Sequence, residues 1–490
     1  MKGVVLMSYF VSIQMDKNSK TPMYQQLGDH LYELIEKNIL KPNTKLPPIR
    51  SLATNLKINP STVVNAYKYL ENKGVVYSQM GSGTYVAPIP VECLQMPSIH
   101  SSNQSPISMT IPMTTSALNF ASMSPSTDLF PVADFKQALN EVLDRDKGDA
   151  FSYQDTQGYF PLRKTICRLI QKSNISTSPE KIQIISGAQQ GIDLISKALL
   201  RYGDMVFIEK PTYNGAVAAF QSRGAKMIEI PLEKDGMDMD TLEIYLKLYH
   251  PKFIYMMTYY QNPTGISYSP EKKRKLLDLA EQYDVYIIED DYLSDMFFIH
   301  QPTIPLKALD HKNRVIYIKS FSKNFMPGLR LGFMILPKTL FQQVLAAKQT
   351  TDIATSGLLQ RAFERYISLH LWEEHVEKVR KVYQFRYEYL LEKIEKKLKN
   401  RVLYTPPNGG LSLWLQLPKN ISMEIFCDLL LQKQIIIAPG SLFSFSPGHE
   451  SYFRLSFADV TTEEIDYGIG IIKETLDILE QSSPFYTSLL

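Results

Sequence analysis

Between residues 21 and 86 the apolar positions recur first at helical and then at strand spacing. Tyr24, Leu27, Leu31, Leu34 and Ile35 return every three or four residues, which makes one face of a helix apolar. Thr21-Pro22 opens that helix with a capping residue followed by proline at the first helical position. Leu46-Pro47-Pro48 interrupts the chain, and Ile49 to Leu56 resumes the period with Leu52, Ala53 and Leu56 inward. Lys57-Ile58-Asn59 reads as a tight turn, and Asn59-Pro60 caps a third helix from Ser61 to Asn72. Val63, Tyr67 and Leu70 line one face of it, and Gly74 lies just past its end. Val75–Ser78 and Thr84–Val86 then flank Gly81-Ser82-Gly83, which signals a hairpin.

Residues 88–117 break the periodicity: Pro and Ser are dense, charge is nearly absent, and an extended linker is expected. Beyond it, short apolar runs alternate with helical stretches. Strands are expected at Ile182–Ile185, Met205–Ile208, Lys226–Ile230, Phe253–Met257, Val285–Ile288, Val315–Ile318 and Gly332–Leu336. Continuous apolar strands separated by helices predict an α/β domain whose mostly parallel sheet is covered on both faces. Gln360–Lys399 reads as one long, highly charged, solvated helix leading to a smaller C-terminal subdomain. The expected division is therefore 1–87, a small winged helix-turn-helix domain; 88–117, a linker; and 118–490, an α/β domain. In the first of these the third helix enters a major groove and the hairpin follows the backbone or minor groove.

Composition changes this picture little. Of 490 residues, 44% are apolar and 21% charged, as in a soluble globular protein of two or three domains. No apolar run is long enough to span a bilayer, and the first ten residues lack the features of a signal peptide, so a cytoplasmic location is expected. Cys93, Cys167 and Cys427 are scattered and read as reduced packing residues. Charge distribution adds more. Residues 1–87 hold ten Lys/Arg against five Asp/Glu, a net +5, and the remainder holds 43 against 45, a net −2. The basic excess points the small domain towards a polyanion such as double-stranded DNA.

The large domain carries the groups that an aldehyde cofactor with a phosphate tail requires. Lys323 supplies an amine for a Schiff base with pyridoxal 5'-phosphate. Ser320, Ser322 and Arg330 stand nearby for the phosphate, as do the backbone amides of Ala188 and Gln189 where a strand runs into a helix. Tyr213 offers a ring to stack on the cofactor. Asn262 follows a strand, in a position to donate to the phenolate oxygen. Asp290 and Tyr292 end the next strand on one side of it. Arg454, on a strand between apolar residues, is costly to bury without an anion, so a substrate or effector carboxylate is its expected partner.

The string PMYQQLGDHLYELIEKNILKPNTKLPPIRSLATNLKINPSTVVNAYKYLENKGVVYSQMGSGTYV closely resembles the N-terminal domain of GntR-type regulators. That resemblance implies that Arg50, Ser61, Thr62, Asn65 and the wing tip at Gly81 and Gly83 face DNA. Many members have arginine where Pro60 stands, and several where Asn65 stands. Losing such cations costs about 1–3 kcal/mol each, which shifts weight to Arg50, Lys57, Lys68 and dimerisation. The order and spacing of the large domain's groups resemble fold-type I aminotransferases. By that resemblance Lys323 forms the internal aldimine, Asp290 pairs with the pyridinium, and Tyr292 and Asn262 meet the phenolate oxygen. Arg454 takes the α-carboxylate, and Tyr153 reaches the phosphate of a partner subunit, which implies a homodimer. Asn408–Trp414 matches the strand lining the substrate pocket.

Together the two resemblances identify the chain with the MocR-type regulators. They imply a transcription regulator that senses pyridoxal phosphate, or an amino compound, through aldimine formation. The alternative is an aminotransferase with an appended DNA-binding domain. It draws support from Tyr260-Gln261-Asn262-Pro263-Thr264-Gly265, where many MocR-type proteins have His-Gln-Phe-Pro-Thr-Gly.

Overall fold

The computed structural model describes residues 21–36, 40, 44–72, 75–79, 83–86, 117–299, 304–446 and 448–486. The chain divides into two compact units, 1–105 and 106–490. All but the last residue of the expected linker lies outside the described residues, as do Gly81, Gly74 and Cys93.

In the N-terminal unit, helices α1 (Met23–Glu36), α2 (Ile49–Leu56) and α3 (Pro60–Asn72) precede strands β1 (Val76–Gln79) and β2 (Gly83–Val86). The first helix starts at Met23 rather than Pro22, whose carbonyl instead accepts the first helical bonds from Gln25 and Gln26. Lys57 ends α2 in the left-handed conformation. Asn59 caps α3, its Oδ1 accepting from the Ser61 N–H at 2.9 Å. β1 and β2 pair antiparallel with Val76 opposite Val86 and Gln79 opposite Gly83. Leu27, Leu31, Leu52, Val63, Ala66, Leu70 and Val86 form a core closed to solvent.

The larger unit opens with β3 (Leu118–Asn119). It continues through β4 (Ile182–Ile185), helix α4 (Ala188–Leu199), β5 (Met205–Lys210), β6 (Lys226–Glu233), β7 (Gly236–Met237) and β8 (Phe253–Met256). β9 (Tyr286–Asp291), β10 (Val315–Ser320) and β11 (Gly332–Ile335) complete an eight-stranded sheet in the order β4-β11-β10-β9-β8-β5-β6-β7. The pairs β10/β9, β9/β8, β8/β5 and β5/β6 are parallel; β11 and β7 run the other way. The expected α/β fold is thus present. Because β4 and β10 are both antiparallel to β11, the carboxyl ends of β4, β5, β8, β9 and β10 gather along one edge, where open parallel sheets bind ligands. β9 and β10 extend past the apolar runs into Glu289-Asp290-Asp291 and Lys319-Ser320, because neighbouring segments supply partners inside the protein: Thr258 for Glu289, Tyr255 for Asp290, and Lys319 for Asp291.

Three helices follow: α5 (Lys338–Gln349), α6 (Gly357–Ser368) and α7 (Leu371–Lys397). The single solvated helix expected over 360–399 is corrected here. His370 at φ 61° breaks it, and Trp372, Val376, Val379, Tyr383, Tyr387, Leu390 and Ile394 bury one stripe of α7. The many charges occupy the other faces and hide that stripe in a simple count of polarity. A four-stranded antiparallel sheet of β12 (Leu403–Tyr404), β13 (Ser412–Gln416), β15 (Ala438–Pro439) and β16 (Tyr452–Ser456) forms the C-terminal subdomain. Between them in the chain, β14 (Ile435–Ile436) pairs with β3.

Candidate functional site

Two lysines stand four residues apart near the end of β10, and their surroundings differ sharply. Lys319 is buried between Asp291 at 3.2 Å and Asp295 at 3.1 Å, and their charges hold its pKa far above the ordinary value despite burial. Lys323 has no hydrogen-bond or ion-pair partner among the described residues and keeps some solvent contact. Desolvation, with Arg454 and Arg330 nearby, lowers its ammonium to about 8. Of the two, Lys323 alone presents an available amine.

Beside it lies a cradle for an anion. Gly187 caps α4 at φ 82°, and an added Cβ there would lie 2.4 Å from Arg330 Nη2, so only glycine admits the guanidinium. Arg330 donates to the Ser186 carbonyl at 3.1 Å and to Ser322 Oγ at 3.4 Å. Ser320 Oγ accepts from the Ser322 N–H at 3.2 Å. The first-turn N–H groups of α4, at Ala188 and Gln189, have no acceptor within the helix. Tyr213 donates to Gln189 Oε1 at 3.1 Å, and its ring lies against Gly215, where a Cβ would come within 2.4 Å of it. Burial raises its phenol, which stays protonated.

The next group is electronic. Asp290 is buried; Tyr255 donates to its Oδ2 at 2.7 Å, and its Oδ1 has no partner. Burial is the main cause that lifts this carboxyl to about 7. An unpaired carboxylate oxygen in such a place suits a protonated ring nitrogen. Tyr292 donates to the Tyr260 carbonyl at 2.5 Å. Asn262 Oδ1 accepts from Arg454 Nη1, and Arg454 Nη2 donates to the Ala121 carbonyl at 2.7 Å. The guanidinium also lies 4.9 Å from the Phe443 ring. Its Nε is buried without a partner, and no described carboxylate pairs with it; burial lowers it to about 10, so it remains cationic at neutral pH. The residues present therefore fit a pyridoxal ring, its phosphate and a carboxylate-bearing ligand.

Sequence reasoning missed the supports. Tyr255 holds Asp290, and only the β8/β9 register brings them together. Glu209, raised to about 8 by burial, accepts from Gln261 Nε2 at 3.0 Å and Tyr268 at 2.8 Å, while Gln261 also donates to the Pro211 carbonyl. That pair ties the loop of Tyr213 to the loop of Asn262. Tyr153 joins nothing here: it is 92% exposed on its own chain. In the N-terminal unit, Ser61, Asn65 and Lys68 share the exposed face of α3, Thr62 is half-buried, and Arg50 is exposed at the start of α2. Ser61 Oγ is engaged with the Asn59 cap at 2.8 Å, and Gly83 opens β2 at φ 126°.

Fold and site together define a pyridoxal-phosphate protein of the aminotransferase fold joined to a helix-turn-helix domain. The chain belongs to the aminotransferase class I and II family, matched over residues 115–472, and residues 23–86 match the gntR family of bacterial regulatory proteins. This is the MocR-type architecture, and the cofactor is pyridoxal 5'-phosphate. The uncharacterized HTH-type transcriptional regulator YdfD of Bacillus subtilis is 30% identical over 472 residues, covering 92% of this chain and 96% of its own. The probable rhizopine catabolism regulatory protein MocR of Rhizobium meliloti is 26% identical over 482 residues, 96% of each. Among solved structures, LysN, the α-aminoadipate aminotransferase of Thermus thermophilus complexed with N-(5'-phosphopyridoxyl)-L-leucine, superposes with a TM-score of 0.72. It shows 32% identity over 77% of this chain and 96% of that one. No described helix is long and apolar enough to cross a membrane.

Proposed function

We propose that the protein is a cytoplasmic, homodimeric transcription regulator that senses pyridoxal phosphate, or an amino compound, at Lys323 and changes its affinity for double-stranded DNA in response. The observation that carries this reading is an unpaired, low-pKa lysine beside an anion cradle, in a chain that also bears a gntR domain. The cofactor supplies an aldehyde that condenses reversibly with a primary amine and a ring that withdraws electrons. Lys323 binds the aldehyde. Asp290 holds a proton at the ring nitrogen, and Tyr292 and Asn262 flank the phenolate side. Tyr213 covers the ring, while Ser320, Ser322, Arg330 and the Ala188 and Gln189 amides bind the phosphate. Arg454 receives the effector's carboxylate, and the exposure of Tyr153 supports its service to a partner's site. Arg50, Ser61, Thr62, Asn65, Lys68 and the wing residues Gly81 and Gly83 meet DNA. Measuring operator affinity at defined salt, with and without cofactor and candidate amines, tests the coupling. Unchanged affinity in every case rejects it.

Catalytic turnover is a second reading, favoured by the complete set Lys323, Asp290, Tyr292, Asn262 and Arg454 on one chain. Steady-state transfer from an amino acid to 2-oxoglutarate at about 1 s⁻¹ or faster would establish an enzyme.

A further inference from the structure

Lys348, on α5, has a side chain that is 0% exposed, and it takes no part in the site as described so far. All three of its ammonium protons are committed: to Gln190 Oε1 at 2.8 Å, to Asp352 Oδ2 at 2.8 Å and to Thr355 Oγ1 at 2.9 Å. A buried lysine with a single carboxylate is a costly way to pack two helices, since apolar residues of similar volume do that at least as well. Its partners show what it holds in place. Gln190 Oε1 also accepts the Ser186 N–H at 2.7 Å, and Gln190 Nε2 donates to Asp352 at 2.8 Å, so the amide has one orientation. Thr355 Oγ1 meets Ser186 Oγ at 3.3 Å. The carbonyl of the same Ser186 accepts from Arg330.

We propose that Lys348 is a positioning residue for the phosphate cradle, acting through Gln190 and Ser186 to hold Arg330 and the first turn of α4 in register for the phosphate. This rests on the cradle reading given above. Lys348 fixes Gln190; Gln190 fixes the N–H of Ser186; the carbonyl of the same residue, in the next peptide, accepts from Arg330 and leads into Gly187 beneath the guanidinium, where there is no spare room. Without the ammonium, Gln190 loses one donor to its oxygen and Asp352 loses its counter-charge, and the strand-to-helix turn loosens at the point where Arg330 is anchored.

The test compares two aldehydes that differ only in the phosphate. Full-length apoprotein is titrated spectroscopically with pyridoxal 5'-phosphate and with pyridoxal, using wild type and Lys348→Met. Expected is a loss of at least about tenfold in affinity for the phosphorylated aldehyde, with less than about a twofold change for pyridoxal. Gln190→Leu cuts the same link with the Lys348–Asp352 ion pair intact, so it serves if Lys348→Met does not fold, and the same phosphate-selective loss is expected. Equal losses for both aldehydes, or an unchanged ratio, in a folded variant overturns the proposal. A wild-type protein that binds neither aldehyde overturns the cradle reading itself, before Lys348 is at issue.

Discussion

Lys319 and Lys323 differ in what removing them does. Lys319 neutralises a buried carboxylate at Asp291, so Lys319→Met leaves an uncompensated charge and costs about 3–5 kcal/mol in urea unfolding of the apoprotein. Lys323→Met removes an amine that desolvation already disfavours, so the apoprotein keeps its stability or gains slightly, yet the absorbance band of bound cofactor disappears. Capture of the aldehyde by wild type rises with pH through a midpoint near 8, because only the neutral amine adds to it. Asp290 contributes a stability effect of known sign. Its native pKa of about 7 lies above the unfolded value near 4, so the native state keeps a proton that the unfolded state releases. The contribution of Asp290 to apoprotein stability therefore falls as pH rises from about 4 to 7, and that of Glu209 falls towards 8. Asp290→Asn flattens this dependence, as read from thermal midpoints at several pH values. The sequence placed a lysine, serines and an arginine close together in the chain; it carried no sign that Lys319 was committed to carboxylates some way upstream.

At the scale of elements, caps and periods were readable wherever the signal was local. Asn59-Pro60 announces α3 because a side-chain oxygen two residues from an amide needs no tertiary help. Asn59→Ala is expected to cost about 1 kcal/mol and to lower the thermal midpoint of the N-terminal unit. Strands were readable as apolar runs, but their ends were not. β9 continues through three acids only because Thr258, Tyr255 and Lys319 reach them from neighbouring segments. The charged stretch at 360–399 misled for the same reason, since its buried stripe becomes visible only against the core it covers. Gly187→Ala is an element-scale prediction: φ 82° and the approach of Arg330 both forbid a methyl group. It should weaken cofactor binding and destabilise the protein by about 1–3 kcal/mol, measured by titration and by unfolding.

For the whole molecule, the prediction concerns linkage between the two kinds of site. If an amine or the cofactor changes operator affinity by some factor, operator DNA must change affinity for that ligand by the same factor, typically about 5- to 150-fold. Titrating the ligand with and without operator checks this reciprocity, and Lys323→Ala abolishes it. In the proposed DNA complex, Arg50 and Lys68 act through phosphates instead. Replacing either with alanine should reduce the slope of log affinity against log salt by about 0.9 for each phosphate no longer neutralised, and leave cofactor affinity unchanged.

The sequence by itself determined the two-part architecture, the secondary-structure period of most elements and the residue types of the candidate cofactor site. These depend on neighbours along the chain: helical and strand repeats, caps, turn glycines, and motifs confined to a single loop. Tertiary structure decided which lysine is free, which carboxylate oxygen lacks a partner, and how Gln190, Glu209 and Tyr255 hold the loops that carry the site. Those properties belong to groups far apart in the chain, brought within hydrogen-bonding distance only when parallel strands align their carboxyl ends along one edge of the sheet.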